Sequence, residues 1–402
     1  MSHRKRLYDT ILAEHLACHR QMAFVVGPRQ VGKTTACCSL SSAYLNWDNT
    51  DDRQIILQGP AATAGRLGLE RLRQQPTIGT FDELHKFRKW KSFLKGFYDT
   101  YADSVRVLVT GSSRLDFYRR GGDSLMGRYF LYRMHPFSVA EALHPDLPDT
   151  KKIIRPPRRI AEVDFAALWE HGGYPEPFLK RDPRFTRRWG GLRRQQLLRE
   201  DVRDLTRIQE LGQIEALMNI LLERSGEQLV YSSLAKQVQV SQDTLRRWIE
   251  TLCGFYLGFL VRPWFQSISK SLRKEPKWFL RDWSGITDEG KRTETFVACH
   301  LLKAVEGWTD LGLGEFQLGY LRDKLKREVD FIIVRDRKPW MLVEAKKADE
   351  KLGPSLAYFQ GQTRAPLAFQ AVLDTDYVDA DCFARPGGPL VVPARTFLSQ
   401  LL

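Results

Sequence analysis

Short apolar runs separated by stretches of helical spacing set the pattern of the first third of the chain. Runs at 23–26, 43–47, 77–81, 105–109 and 129–133 read as strands, with helices between them. That alternation predicts a parallel sheet covered on both faces. The pattern then changes. Residues 151–159 are rich in Pro, Lys and Arg and read as an exposed connection. From 160 to 209 the spacing is helical, interrupted at Gly172-Gly173-Tyr174-Pro175-Glu176-Pro177. Residues 214–224 predict another helix, and a short one starts at Ser232 with Leu234, Ala235 and Val238. A turn at Gln239-Val240 leads to Ser241, a suitable cap for a helix over 242–252 whose buried stripe is Leu245, Trp248, Ile249 and Leu252. Apolar residues at 257–261 follow as a strand. Near the end, 328–334 and 340–346 read as two strands joined at 336–338. The expected divisions are 1–150, 151–210, 211–268 and 269–402, within an α/β fold class.

The first strand runs into Gly27-Pro28-Arg29-Gln30-Val31-Gly32-Lys33-Thr34, a complete Walker A loop, and Thr35 opens the next helix. A loop at this junction turns backbone N–H groups toward phosphate oxygens at a helix N-terminus. Candidate triphosphate contacts are Gly27, Arg29, Gly32, Lys33, Thr34 and Thr35. Lys33 can reach the β- and γ-phosphates, and the Thr34 hydroxyl can ligate magnesium. ATP and Mg2+ are therefore the expected ligands. Residues 77–81 lead to Asp82-Glu83, as in a Walker B strand, although Gly79 and Thr80 interrupt its apolar character. Asp82 would hold the magnesium hydration shell, and Glu83 would orient or deprotonate the attacking water. The strand 105–109 ends in Thr110-Gly111-Ser112-Ser113. Ser112 is a candidate γ-phosphate sensor, or equally a turn or cap residue.

Composition narrows the partners. The 402 residues carry a net charge of +14, which favours a polyanion such as DNA. Arginines cluster at 119–120, 155/158–159, 187–188, 193–194 and 246–247, either as solvated faces or as phosphate-backbone contacts. On the helix over 242–252, Gln242, Arg246 and Arg247 face away from the apolar stripe. This plan is that of a helix-turn-helix whose second helix enters a major groove, with packing or protein contact as the alternative. No apolar run reaches membrane-spanning length, so no membrane association is expected. The basic start contains Asp9 and leads into no h-region, so no secretory signal is expected. Six cysteines without metal spacing suit reduced thiols in a cytoplasm.

The last segment carries different chemistry. If its two strands form a hairpin, Glu344 and Lys346 share one face, because side chains repeat with period two. Asp330 can approach them from the partner strand, and Glu294 can add a carboxylate from a helix. Carboxylates grouped in this way can bind a divalent metal, with Lys346 activating water or offsetting phosphate charge.

The blocks GPRQVGKTT, FDELHKF, VLVTGSS, SLMGRYFLYRMHPFS, GGYPEPF, REDVRDL and REVDF…VEAKK occur in the order found in a prokaryotic AAA-plus ATPase family. The resemblance covers nearly the whole chain. It implies an AAA-plus core, a helical lid, a winged helix and a carboxy-terminal domain resembling the PD-(D/E)xK restriction-endonuclease fold. It further implies that Arg128 acts as an arginine finger on a neighbouring subunit of a hexamer-type ring, the alternative being a structural salt bridge. By the same analogy Asp330, Glu344 and Lys346 match the nuclease core, with Glu294 as its helical acid. His85 and the polar Walker B strand depart from the family pattern. The expected function is a DNA-binding ATPase that translocates on or remodels forks or junctions. The alternatives are an ATP-gated nuclease and a nucleotide-dependent signalling or defence switch acting on a protein partner.

Overall fold

A computed structural model describes residues 4–111, 125–198, 211–264, 275–385 and 387–402. The chain divides into two compact units. One is Met1–Pro136 with His144–Leu147; the other is Phe137–Leu143 with Pro148–Leu402.

The first unit is built on five parallel strands: β1 (Met22–Val26), β2 (Ala43–Asn46), β3 (Thr77–Asp82), β4 (Val105–Gly111) and β5 (Tyr129–Arg133), in the order β2-β3-β4-β1-β5. Every residue of β1 is buried, as a central parallel strand requires. The helix Trp90–Tyr101 lays Phe93, Leu94 and Phe97 onto Phe81 of β3, with the Phe81 and Phe97 rings meeting edge to face at 5.5 Å. Each such side chain contributes roughly 1.5–3 kcal/mol of burial. The five strands lie where the apolar runs place them. The polar interruptions of β3 also have reasons. A Cβ on Gly79 would lie 3.4 Å from Leu67, which packs against the bare backbone, and the buried Thr80 hydroxyl meets that of Ser41.

The second unit contains helices Glu162–His171, Pro175–Lys180, Pro183–Gln196, Leu211–Glu223, Tyr231–Val238 and Gln242–Gly254. The Ser241 hydroxyl accepts from Thr244 N–H at 3.1 Å, so the expected cap forms. Its strands are β6 (Gly258–Pro263), β7 (Lys277–Leu280), β8 (Phe316–Arg322), β9 (Glu328–Arg335), β10 (Lys338–Lys346), β11 (Leu367–Val372) and β12 (Leu390–Pro393). They form one mixed sheet in the order β12-β11-β10-β9-β8-β6-β7. The hairpin β9–β10 is antiparallel, with Val343 opposite Phe331. The long helix Glu289–Asp310 packs on this sheet and buries Phe296, Leu301 and Trp308.

One expectation changes. Residues 151–159 are more than an exposed connection: Ile153, Ile154 and Arg155 are buried, and Arg155 N–H donates to Gln400 O at 2.9 Å. The division expected near residue 268 falls outside the described residues, and the sheet continues across it. Arg262 of β6 pairs in parallel with Gly319 of β8.

Candidate functional site

The Walker A loop leaves β1 at its carboxyl end, the edge at which open α/β sheets bind ligands. Its first glycine has a steric reason: a Cβ on Gly27 would sit 2.3 Å from the Met134 carbonyl oxygen. Gly32 (φ +103°) turns the chain into the helix Lys33–Leu40. Arg6, just before the helix Leu7–Cys18, braces the loop from behind. Its guanidinium donates to Val31 O and His135 O, both at 2.7 Å. Nothing in the local sequence marks Arg6 for that role, because its partners lie 25 and 129 residues away.

Lys33 folds over the loop and donates to the carbonyls of Gly27 (2.9 Å) and Pro28 (2.8 Å). Burial pushes its ammonium down to about 8, against the pull of Glu83 and Asp82. Among the described residues its hydrogen bonds go to neutral carbonyls, so the ammonium is ready to gain an anionic partner. Gly27 is buried, Arg29 half-buried, and Thr34 and Thr35 exposed on the same loop and first helical turn.

Parallel register brings the acidic residue to this edge. Asp82 lies opposite Thr110 of β4 and Asn46 of β2. Three hydroxyls converge on its carboxylate: Thr34 (3.0 Å) and Tyr44 (2.7 Å) on Oδ2, and Thr110 on Oδ1. Burial, then the bond to Asp82, pushes the Tyr44 phenol upward, so it stays a donor. Tyr44 escaped the sequence reading, since a tyrosine in a short apolar run reads as core. Hydroxyl and carboxylate oxygens 3.0 Å apart form a donor set suited to Mg2+, a hard cation that takes oxygen ligands.

Glu83 follows at φ +55°, a left-handed conformation that costs a non-glycine residue about 1–2 kcal/mol. Strain of this kind clusters at functional sites. Its Oε2 lies 3.4 Å from Lys86 Nζ and 3.7 Å from His85 Nε2, which gives the unusual His85 a position. Ser112 lies outside the described residues, whereas Thr110 two positions earlier is in place. Arg128 binds both oxygens of Asp99, at 2.7 and 3.0 Å. It precedes β5, and Tyr129 lies opposite Met22, so Arg128 stands at the sheet end away from the loop. Five residues of strand separate the two ends, about 16 Å. Arg128 therefore cannot serve its own loop.

The second unit brings the other acids together. Asp330 Oδ2 accepts from Ala345 N–H (3.0 Å), and Lys346 Nζ lies 2.9 Å from Glu344 Oε1. The residue missed is Lys277 of β7, whose Nζ lies 2.8 Å from Glu294, 2.6 Å from Glu328 and 3.6 Å from Asp330. Burial alone would lower its ammonium, but the three carboxylates outweigh burial and raise it. Burial and the Asp330 charge raise the Glu294 carboxyl. A lysine directly before the apolar run Trp278-Phe279-Leu280, at the start of the strand it forms, was the available signal, since buried lysines require partners. Among the described residues, no group of three or more His, Cys, Asp or Glu side chains is arranged to hold a metal ion. Glu294 and Asp330 face the Lys277 ammonium, and Glu344 faces Lys346.

On the helix Gln242–Gly254, Gln242, Arg246 and Arg247 are exposed opposite the buried Leu245, Trp248, Ile249 and Leu252. Arg246 lies 5.1 Å from the Tyr231 ring centre. Two other clustered arginines have internal work: Arg155 is buried, and Arg193 stacks 4.1 Å from the Tyr174 ring. The clusters therefore offer fewer free cations than their spacing suggests. Among the described residues, no helix is long and apolar enough to cross a membrane.

Residues 19–143 match a family model described as an AAA domain. Residues 162–287 and 289–377 match two domains of unknown function, DUF8612 and DUF4143. The chain is 24% identical over 271 residues to an uncharacterized protein of Mycobacterium tuberculosis, covering 66% of this chain and 55% of that protein. An uncharacterized protein of Methanocaldococcus jannaschii is 23% identical over 292 residues, covering 64% of this chain and 60% of the relative. The chain thus spans little more than half the length of these relatives. Among solved structures, Aeropyrum pernix ORC1 in complex with DNA aligns with 72% of this chain and 92% of its own, at 14% identity and TM-score 0.30. The Saccharomyces cerevisiae Hsp104–ADP complex aligns with 76% of this chain and 42% of its own, at 13% identity and TM-score 0.28.

Proposed function

We propose that the chain is an ATPase of AAA-plus type that couples nucleotide hydrolysis to work on DNA. The observation that carries the ATPase reading is the convergence of Lys33, Thr34 and Asp82 at one sheet edge, with Glu83 strained beside them. Lys33 would exchange the Gly27 and Pro28 carbonyls for the β- and γ-phosphates, while Gly27, Arg29, Gly32 and Thr35 line the loop. Thr34 and Asp82 would hold Mg2+, which when bound offsets phosphate charge. Glu83 would orient and deprotonate the attacking water. Arg128 would act only across a subunit boundary, leaving Asp99 to reach a neighbour's γ-phosphate. That role would require a ring or another closed oligomer; the pairing with Asp99 is otherwise a structural salt bridge. Ser112 keeps its sensor reading, and Thr110, two positions earlier in the sequence, is fixed to Asp82.

The helices Leu211–Glu223, Tyr231–Val238 and Gln242–Gly254, followed by antiparallel β6–β7, support a winged helix-turn-helix reading. Together with the +14 net charge, this favours DNA as the partner through Gln242, Arg246 and Arg247. Translocation on, or remodelling of, forks and junctions is the work proposed.

The test is Lys33→Ala assayed with single-stranded, duplex, forked and four-way DNA. Hydrolysis should fall by about 100-fold or more, the scale of losing one preorganised cationic donor. In the wild type, binding should weaken linearly in log [salt], by about 0.9 per duplex phosphate contact. Hydrolysis untouched by Lys33→Ala would refute the site. Hydrolysis that ignores every DNA, with no DNA bound at low salt, would remove the nucleic-acid half and favour a protein-directed switch.

A further inference from the structure

We infer that Lys277 stands where a divalent cation would otherwise sit, so that the acidic edge of the second sheet is a metal-independent, non-cleaving module. The ammonium is held by three carboxylates from two elements: Glu294 on the helix Glu289–Asp310, and Glu328 and Asp330 on β9. Its side chain is only 5% exposed. A resident charge at that point repels an incoming cation, and a buried lysine cannot leave without exposing three acids to one another.

The remaining oxygens point the same way. Glu328 Oε2 accepts from Arg322 Nη1 at 2.7 Å, Asp330 Oδ2 from Ala345 N–H, and Glu344 Oε1 from Lys346. Glu344 Oε2 is buried without a hydrogen-bond partner, walled by Gly353, where a Cβ would lie 3.0 Å away. Glu294 Oε2 is closed in by Gly226, where a Cβ would lie 2.9 Å away. Among the described residues, the two oxygens that these contacts leave over, Glu294 Oε2 and Glu344 Oε2, each lie against a glycine of another segment, which leaves little room for a divalent cation and the waters it keeps. Lys277 also ties β7 to β9 and to the long helix, which explains why the position is filled from within. Its role is structural anchoring in place of a metal, whatever the first unit does with nucleotide.

Mn2+ binding to the nucleotide-free, full-length protein tests this by electron paramagnetic resonance, reading free Mn2+. Wild type and Asp330→Asn should bind the same number of ions. Lys277→Ala should gain one ion per chain, at least tenfold tighter than any wild-type binding at this edge, and Lys277→Ala/Asp330→Asn should lose it. Should Lys277→Ala fail to fold by circular dichroism, Lys277→Met/Glu328→Gln, which removes one acid with the lysine, takes its place. A wild-type equivalent of Mn2+ that disappears in Asp330→Asn would overturn the inference. So would a folded Lys277 variant that gains none.

Discussion

The two sheets each bring a lysine and an aspartate to one edge, and they use the pair in opposite ways. In the first unit, Lys33 rests on two backbone carbonyls and Asp82 on three hydroxyls, so neither charge neutralises the other through a direct ion pair. In the second, Lys277 is surrounded by Glu294, Glu328 and Asp330. Neutral partners hold a charged group in position while leaving its charge for a ligand. Ionic partners consume it. The same residue types therefore make a receptive site in one place and a closed strut in the other, and residue identity alone does not separate them.

The largest effect expected from this contrast concerns Glu83, the strained acid at the receptive edge. Glu83→Gln keeps the size and removes the base, so ATP hydrolysis should drop by about 10²–10⁴-fold. Nucleotide affinity should stay within a few-fold, because the loop and Lys33 are untouched. Lys346→Ala, at the other edge, should leave hydrolysis within about twofold. Steady-state hydrolysis and equilibrium titration of both variants decide it. An active Glu83→Gln would mean that another group activates water, and a large loss in Lys346→Ala would mean that the second edge is not a bystander.

Legibility followed sequence distance. The five strands of the first sheet, the Walker loop, the Ser241 cap and the β9–β10 hairpin are local patterns, and each forms where the sequence spacing puts it, whereas β7, β8, β11 and β12 had no such reading. Asp82, Glu83 and Asp330 were legible because each sits beside or within a strand with a motif spacing. Tyr44, Arg6 and Lys277 were not, because their partners come from elsewhere in the chain: Tyr44 meets Asp82 38 residues on, and Lys277 meets Asp330 only after the sheet assembles. Arg193 and Arg155 failed in the reverse sense. Runs of arginine look like a solvated or nucleic-acid-binding face, yet burial and ring stacking use these two inside the fold.

A second consequence separates the lysines by pH. Burial holds the unliganded Lys33 near 8, below its ordinary value of 10.5. The unfolded chain therefore binds more protons than the folded one between those values, and this group makes the unliganded protein more stable as pH rises through that window. Nucleotide acts in the opposite direction. Anionic phosphates favour the charged lysine, so binding takes up a proton above pH 8 and affinity should fall by up to about tenfold per pH unit. Lys277, raised by its carboxylates, should contribute no such change over the same range. Titration calorimetry from pH 7 to 9.5, in buffers of differing ionisation enthalpy, measures both the affinity and the proton. A flat affinity with no proton taken up would mean that Lys33 does not face the phosphates.

The smallest effect concerns the hydroxyls on Asp82. Tyr44→Phe removes one of two donors on Oδ2 and keeps the ring in its place. A hydrogen bond to a charged acceptor is worth about 1.5–3 kcal/mol, but Thr34 remains on the same oxygen and water can replace the phenol, so only part of that is lost. If Asp82 holds magnesium, the deletion should raise the Mg2+ concentration needed for half-maximal hydrolysis by about 3–10-fold. The rate at saturating Mg2+ should stay within about twofold. A shift that excess Mg2+ repairs marks the tyrosine as a positioning residue for a metal-binding carboxylate. A fall in rate that no Mg2+ concentration repairs would mean that Tyr44 holds the sheet edge itself together. The receptive site would then depend on its neutral partners as heavily as the closed one depends on its ionic partners.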